Sequence, residues 1–216
     1  MNVNIIIQSV PAILKGCVMT VELTVVSLVI AVFLGVFIAL LKISSNKVLS
    51  YISSLYTWII RGTPLLVQLF IVYYALPSIG IEFTEFQAAV ISLSLNSAAY
   101  MAEIIRGGIL GIDKGQSEAS KALGFTYMQN MRLIILPQTI RIILPALGNE
   151  FIALIKDTSL VSTIAMVELM RTAQQISSAA YAPLEMYLTA AVMYLLMTTV
   201  FTALFSMFEK KMSRYA

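Results

Sequence analysis

Asn96, Tyr100 and Glu103 recur at i, i+4 and i+7 within an otherwise apolar stretch. A helix there would set an amide, a phenol and a carboxylate on one face. Two more ionisable residues, Glu22 and Lys156, also stand among apolar neighbours. Charged groups in an apolar medium are costly, so each is a candidate for function. The chemistry they offer is recognition of charge rather than bond making. Asn96 and Glu103 could line a cavity and hold the charged ends of a small solute. Glu22 suits a cationic side chain, and Lys156 a carboxylate. Each has a structural alternative. Glu103 could pair with Arg106 or Arg61, Glu22 could reach lipid headgroups or a lysine, and Lys156 could pair with its neighbour Asp157.

Composition narrows the chemistry further. The 216 residues contain no histidine and a single cysteine, Cys17, which removes His-metal sites, Ser-His-Asp triads, Cys-His dyads and any intrachain disulfide. Hydrophobic residues make up 59% and charged residues 12%, about half the charge of a soluble domain. The reading is an all-α polytopic membrane protein, one domain over 1–216. A net charge of +3 does not suggest nucleic-acid binding, and no cleavable signal peptide is evident.

A membrane crossing needs about 20 apolar residues, and five stretches qualify: 17–41, 49–76, 86–105, 139–155 and 184–208. The second is interrupted by Arg61-Gly62-Thr63-Pro64. Proline lacks a donor and disfavours helix in the residue before it. The expectation is an amphipathic or half-inserted helix over 48–60 and a crossing over 64–78. In the third span Ser94, Ala98 and Ala102 form a second stripe, suited to helix packing. In the fourth, Asn149 and Lys156 share one face, and Glu150 and Asp157 the neighbouring one. With five spans, ten of the fourteen basic residues fall on one side: Lys42, Lys47, Arg106, Lys114, Lys121, Arg132, Arg141, Lys210, Lys211 and Arg214. Basic residues favour the cytoplasm, which predicts an external N-terminus and a cytoplasmic 106–137 loop and C-terminus.

That loop carries strong local signals. Asp113-x-x-Gln116 and Thr126-x-x-Gln129 fit capping boxes, in which side chains satisfy free donors at a helix start. Gly124 fits the left-handed residue that ends a helix. The prediction is a helix over 114–123 and a second one stopping before Pro137. The same stretch resembles the EAA loop of ABC-importer permeases, whose pattern is E-A-A-x3-G-x9-I-x-L-P. Glu118-Ala119-Ser120, Gly124, Ile134, Leu136 and Pro137 match it, with Ser120 in place of the second alanine. "RGTPLL" at 61–66, "AAYMAEIIRGGI" at 98–109, "GQSEA" at 115–119 and "KDTSL" at 156–160 extend the likeness to the membrane subunit of polar amino-acid ABC importers.

The resemblance implies a permease in the cytoplasmic membrane of a prokaryotic cell, itself neither binding nor hydrolysing ATP. Its EAA loop would dock in a cleft of a cytoplasmic ATPase subunit, through Glu118, Ala119, Ser120, Gly124 and Pro137. Two ATPase subunits carrying ATP and magnesium, a second permease (identical or paralogous) and an extracytoplasmic amino-acid-binding protein would complete the complex. The family pattern around position 22 is usually apolar, so Glu22 marks a preference for basic substrates. The alternative is a secondary transporter or channel for small polar solutes, which would not need a capped cytoplasmic hairpin. An intramembrane enzyme is remote, since no span carries paired aspartates.

Overall fold

The computed structural model describes residues 2–213. Helix α1 (Val3–Lys42) is followed by α2 (Lys47–Gly62) and by α3 (Leu65–Phe70), which continues as a π turn (Ile71–Ala75) and a 3-10 turn (Leu76–Ile79). Then come α4 (Glu85–Leu110), α5 (Lys114–Ala122), α6 (Tyr127–Asn130), a π turn (Met131–Ile135) and α7 (Leu136–Asp157). A 3-10 stretch (Thr158–Ile164), α8 (Leu169–Ala180) and α9 (Pro183–Ser213) complete the order. Among the described residues four helical segments are long and apolar enough to cross a membrane, or five if the pair α2–α3, bent by 102°, is one broken span. Arg214, counted in the charge asymmetry, lies outside the described residues.

The largest interface joins α1 and α4, and its sequence explains why. Ser27, Ala31, Gly35 and Ala39 recur every four residues and all are buried. They meet Ala98, Met101 and Ala102, buried on α4. Apolar residues gain nothing by leaving lipid for one another, so membrane helices associate where small side chains let the backbones approach. The predicted Ser94, Ala98 and Ala102 stripe is buried in this way.

Two boundaries differ from expectation. Helix α1 begins at Val3, fourteen residues before the apolar run, and carries Pro11 within it. Tertiary packing outweighs the proline there: Ile13 and Cys17 lie in one buried cluster with Leu169, Ala173, Met186 and Ala190 of α8 and α9. The amide of Asn2 also donates to Glu185 at the start of α9, at 2.8 Å. Glu168 adds a fully buried clamp. Its carboxylate accepts from the N–H of Met170 and Arg171, capping α8, and from the hydroxyls of Tyr194 on α9 (2.8 Å) and Thr20 on α1 (3.4 Å).

The second difference is in the hairpin. Its first helix ends as expected: Gly124 has φ +81°, and N–H groups of Gly124 and Phe125 donate to the carbonyls of Lys121 and Ser120, the paired bonds of a Schellman motif. Asp113 caps α5 through the N–H of Gly115, while the reciprocal capping box forms at Thr126 and Gln129. The second helix does not stop before Pro137. It passes through the π turn into α7, and Pro137 sits in the first turn of α7. The π register shifts bonding by one residue just ahead of the proline, and the Gln138 amide donates to the Ile134 carbonyl at 2.9 Å. The hairpin is therefore one free helix, α5, laid against the root of the fourth span. Asn130 pins it by donating to the Ser117 hydroxyl.

Gly124 tests this geometry. A β-branched side chain at positive φ costs about 1–2 kcal/mol, while no neighbour lies within 4 Å to clash. Gly124→Val is therefore expected to leave the bundle assembled and to retilt α5. Proteolysis of the loop should quicken severalfold with the thermal midpoint nearly unchanged, whereas unaltered proteolysis would mean that the loop absorbs the strain without moving.

Candidate functional site

The break between α2 and α3 opens a cavity of about 500 Å³ against α4 and α7. It is lined by Arg61, Asn96, Tyr100, Glu150 and Asp157, together with residues 62–65 of the break. Asn96 is near the middle of α4, so the cavity lies at mid-bundle.

Gln68 holds the break open. Its amide nitrogen donates to the carbonyls of Ile60 (2.7 Å) and Thr63 (3.1 Å) and to the Thr63 hydroxyl (2.9 Å). Its oxygen accepts from Asn96 at 3.1 Å. These bonds satisfy carbonyls that the helix end leaves free, where no solvent could do so cheaply. Ser97 orients the acidic wall by donating to Glu150 at 2.7 Å. The Arg61 guanidinium stands 5.1 Å from the Tyr100 ring centroid, within cation–π range. The cavity thus holds two carboxylates and one guanidinium, with hydrogen-bonding groups between. Such a set can bind a zwitterion bearing an extra positive charge.

Among the candidates read from the sequence, Asn96 and Tyr100 face this cavity together. Glu103 stands seven residues along α4, about 10 Å further toward the hairpin. It is paired there with Lys42 and, at 3.0 Å, with Arg106. Glu22 is exposed on the outer face of α1, while Thr20, Thr24 and Ser27 turn inward. Lys156 is exposed and does not line the cavity, and no ion pair within 4 Å joins it to Asp157 among the described residues. The carboxylates that do line it, Glu150 and Asp157, lie seven residues apart on the face of α7 next to that of Lys156. That spacing was the available signal. Gln68 and Ser97 carried none, because each acts on a residue 28 or more positions away.

In the hairpin Glu118, Ala119 and Gly124 are exposed, Ser120 is buried with its hydroxyl donating to the Ser117 carbonyl at 3.0 Å, and Pro137 is exposed at the root of α7. Leu123, Tyr127 and Met128 stand around them, each at least 69% exposed.

Apolar helical segments around a polar mid-bundle cavity, with a capped hairpin at one end, fit the membrane subunit of a multi-component transporter. The chain belongs to the family described as the inner membrane component of binding-protein-dependent transport systems, whose model matches residues 31–214. It is similar to the arginine transport system permease protein ArtQ of Bacillus subtilis (strain 168), 42% identical over 95% of this chain and 94% of the relative. It is similar also to the putative glutamine transport system permease protein GlnP of Rickettsia bellii (strain RML369-C), 41% identical over 93% and 92%. A crystal structure of an amino acid ABC transporter with histidines superposes with a TM-score of 0.93 at 44% identity, covering 98% of this chain and 99% of that one. The resemblance read from the EAA-type loop is borne out by these matches, and the multi-pass all-α fold with them.

Proposed function

We propose that this chain is the non-catalytic permease of an ATP-driven importer for polar amino acids, with basic ones preferred. The observation that carries the preference is the pair of carboxylates, Glu150 and Asp157, facing one mid-bundle cavity. A guanidinium or ammonium side chain between them replaces its hydration by charge-assisted hydrogen bonds. Arg61 complements the substrate carboxylate at the other wall. Family membership alone leaves the side chain open, since relatives at similar identity are named for arginine and for glutamine.

Coupling is assigned to the hairpin. The exposed Glu118 and Ala119, ringed by Leu123, Tyr127 and Met128, give a surface for docking on each of two ATPase subunits, which hold ATP and magnesium. A second permease and an extracytoplasmic binding protein complete the cycle. The N-terminus is placed outside and the hairpin inside by the ten basic residues on one side. In a Cys17→Ser background, a cysteine at position 82 is expected to react with an impermeant maleimide in intact cells and one at position 114 to stay unlabelled. The reverse pattern would invert the topology.

The whole reading is tested by reconstituting the permease with its ATPase and binding protein. Hydrolysis is expected to rise severalfold with loaded arginine and to stay basal with glutamate. Equal stimulation by both would remove the charge preference, and uptake without any ATPase subunit would favour a secondary transporter instead.

A further inference from the structure

Helix α2 turns its polar side inward and its apolar side out. Val48, Tyr51, Ile52, Leu55 and Trp58 are exposed, Trp58 at 73%. Ser53 and Thr57 are buried. The helix carries Lys47 in its first turn and Arg61 in its last, and it is long enough to lie along a bilayer surface with its apolar face in the acyl region.

Between this helix and the bundle lies a second cavity, of about 470 Å³, lined by Lys42, Ser54, Thr57, Trp58, Arg61 and Glu103. It opens at the end of α1 and α4 that carries the hairpin. Lys42 donates to Glu103 and, at 2.6 Å, to Thr57, which leaves one of its three N–H donors free. Arg106 pairs with the other oxygen of the same carboxylate. Lys42 and Arg106 therefore share a single acid, Glu103, which leaves one positive charge uncompensated, while Arg61 is shared with the first cavity and its two carboxylates. The transport reading uses neither Lys42 nor Arg106, and Trp58 at the rim is typical of a residue at the headgroup level.

We propose that this cavity is a binding site for an anionic phospholipid of the leaflet on the hairpin side. Its phosphate is held by Lys42, its glycerol region by the hydroxyl of Ser54, and its acyl chains by the exposed face of α2 beside Trp58. Uncompensated cations between membrane helices at the water boundary suit such heads. The apolar rim favours a lipid over a water-borne anion, because only a lipid covers both the charge and the exposed side chains. The proposal is independent of the substrate, and it stands or falls apart from the amino-acid reading.

The test uses the assembled complex, stripped of native lipid and placed in phosphatidylcholine nanodiscs doped with phosphatidylglycerol. Bound lipid is counted by native mass spectrometry after gentle release. One uncompensated cation, at about 1 kcal/mol, predicts roughly fivefold enrichment of phosphatidylglycerol over phosphatidylcholine at one site per permease. Ser54→Asp, which puts an acid at the mouth, and Trp58→Glu, at an exposed rim where packing is not disturbed, should each remove that enrichment. Ser54→Ala should keep it, and inorganic phosphate at the same concentration should not compete. Enrichment that survives both acidic variants would overturn the proposal. So would equal competition by inorganic phosphate, which would mark a free-anion site. Enrichment in the isolated permease that vanishes in the complex would show that a partner subunit covers the face, and would overturn it as well.

Discussion

Gly35→Ala is expected to lower the thermal midpoint of the purified permease by roughly 5–10 °C, although it adds a single methyl group. A Cβ at position 35 would stand 2.6 Å from Met101 Cβ and 3.3 Å from both the Ala98 carbonyl oxygen and the Ala102 nitrogen. Carbon atoms pack at about 3.5–4.0 Å. Met101 Cβ is fixed to its backbone, so no rotamer relieves the contact and the two helices must separate by about 1 Å. That loosens the Ser27, Ala31, Gly35 and Ala39 seam over its length. Overpacking of this kind costs about 1–3 kcal/mol, at roughly 2–4 °C per kcal/mol for a chain of this size. Gly107→Ala is the matched control. Its Cβ would meet nothing within 4 Å, and replacing glycine within a helix gains up to about 1 kcal/mol. Its midpoint should hold or rise. Thermal unfolding in one detergent measures both, and an unchanged midpoint for Gly35→Ala would show that the α1–α4 contact is looser than these distances state.

The second large effect is at the cavity. Asp157→Lys is expected to weaken arginine binding by on the order of a thousandfold. The aspartate lines the cavity together with Glu150 and Arg61. Reversing its charge replaces an attraction by a repulsion. At an effective dielectric constant of about 20, two unit charges about 8 Å apart interact by about 2 kcal/mol, so the change from attraction to repulsion is about 4 kcal/mol, or about three decades in Kd. Asp157→Asn keeps the shape and loses only the attraction, so it should cost about 10- to 100-fold. The thermal midpoint guards against misfolding, because Asp157 makes no ion pair within 4 Å among the described residues that its loss would break. Arginine binding to Asp157→Lys within threefold of wild type would place the substrate elsewhere.

Much of this architecture is legible in the sequence. Apolar runs mark the five crossings because lipid allows little else, and Pro64 marks the break because proline cannot continue a helix. Gly124 and the Thr126 box define the hairpin because caps are local chemistry. The features that escape are those whose causes are distant. Helix α1 reaches back to Val3 because α8 and α9 cover it. Pro137 fails to end a helix because it falls in the first turn of α7, just after a π turn that shifts the bonding register. Glu168 clamps three helices through partners up to 148 residues away. The site divides in the same manner. Asn96 and Tyr100 are fixed by the period of one helix. The choice between the Lys156 face and the Glu150–Asp157 face of α7 is made by packing, with Ser97 of α4 meeting Glu150. Glu103 shows the opposite case: a carboxylate on the expected face of α4, held as a structural ion pair by Lys42 from α1.

The central claim is that Glu150 and Asp157 recognise the positive charge of a substrate side chain. Citrulline has almost the shape of arginine and lacks that charge, so the pair isolates the interaction. Uptake of radiolabelled arginine into proteoliposomes holding the full complex should be competed by unlabelled arginine at least about 100-fold more effectively than by citrulline, as two charge-assisted hydrogen-bonded contacts require. In a Glu150→Gln, Asp157→Asn double variant of unchanged thermal midpoint, that ratio should fall to within a few-fold of one. A wild-type ratio near one, or a ratio preserved in the double variant, would contradict the assignment.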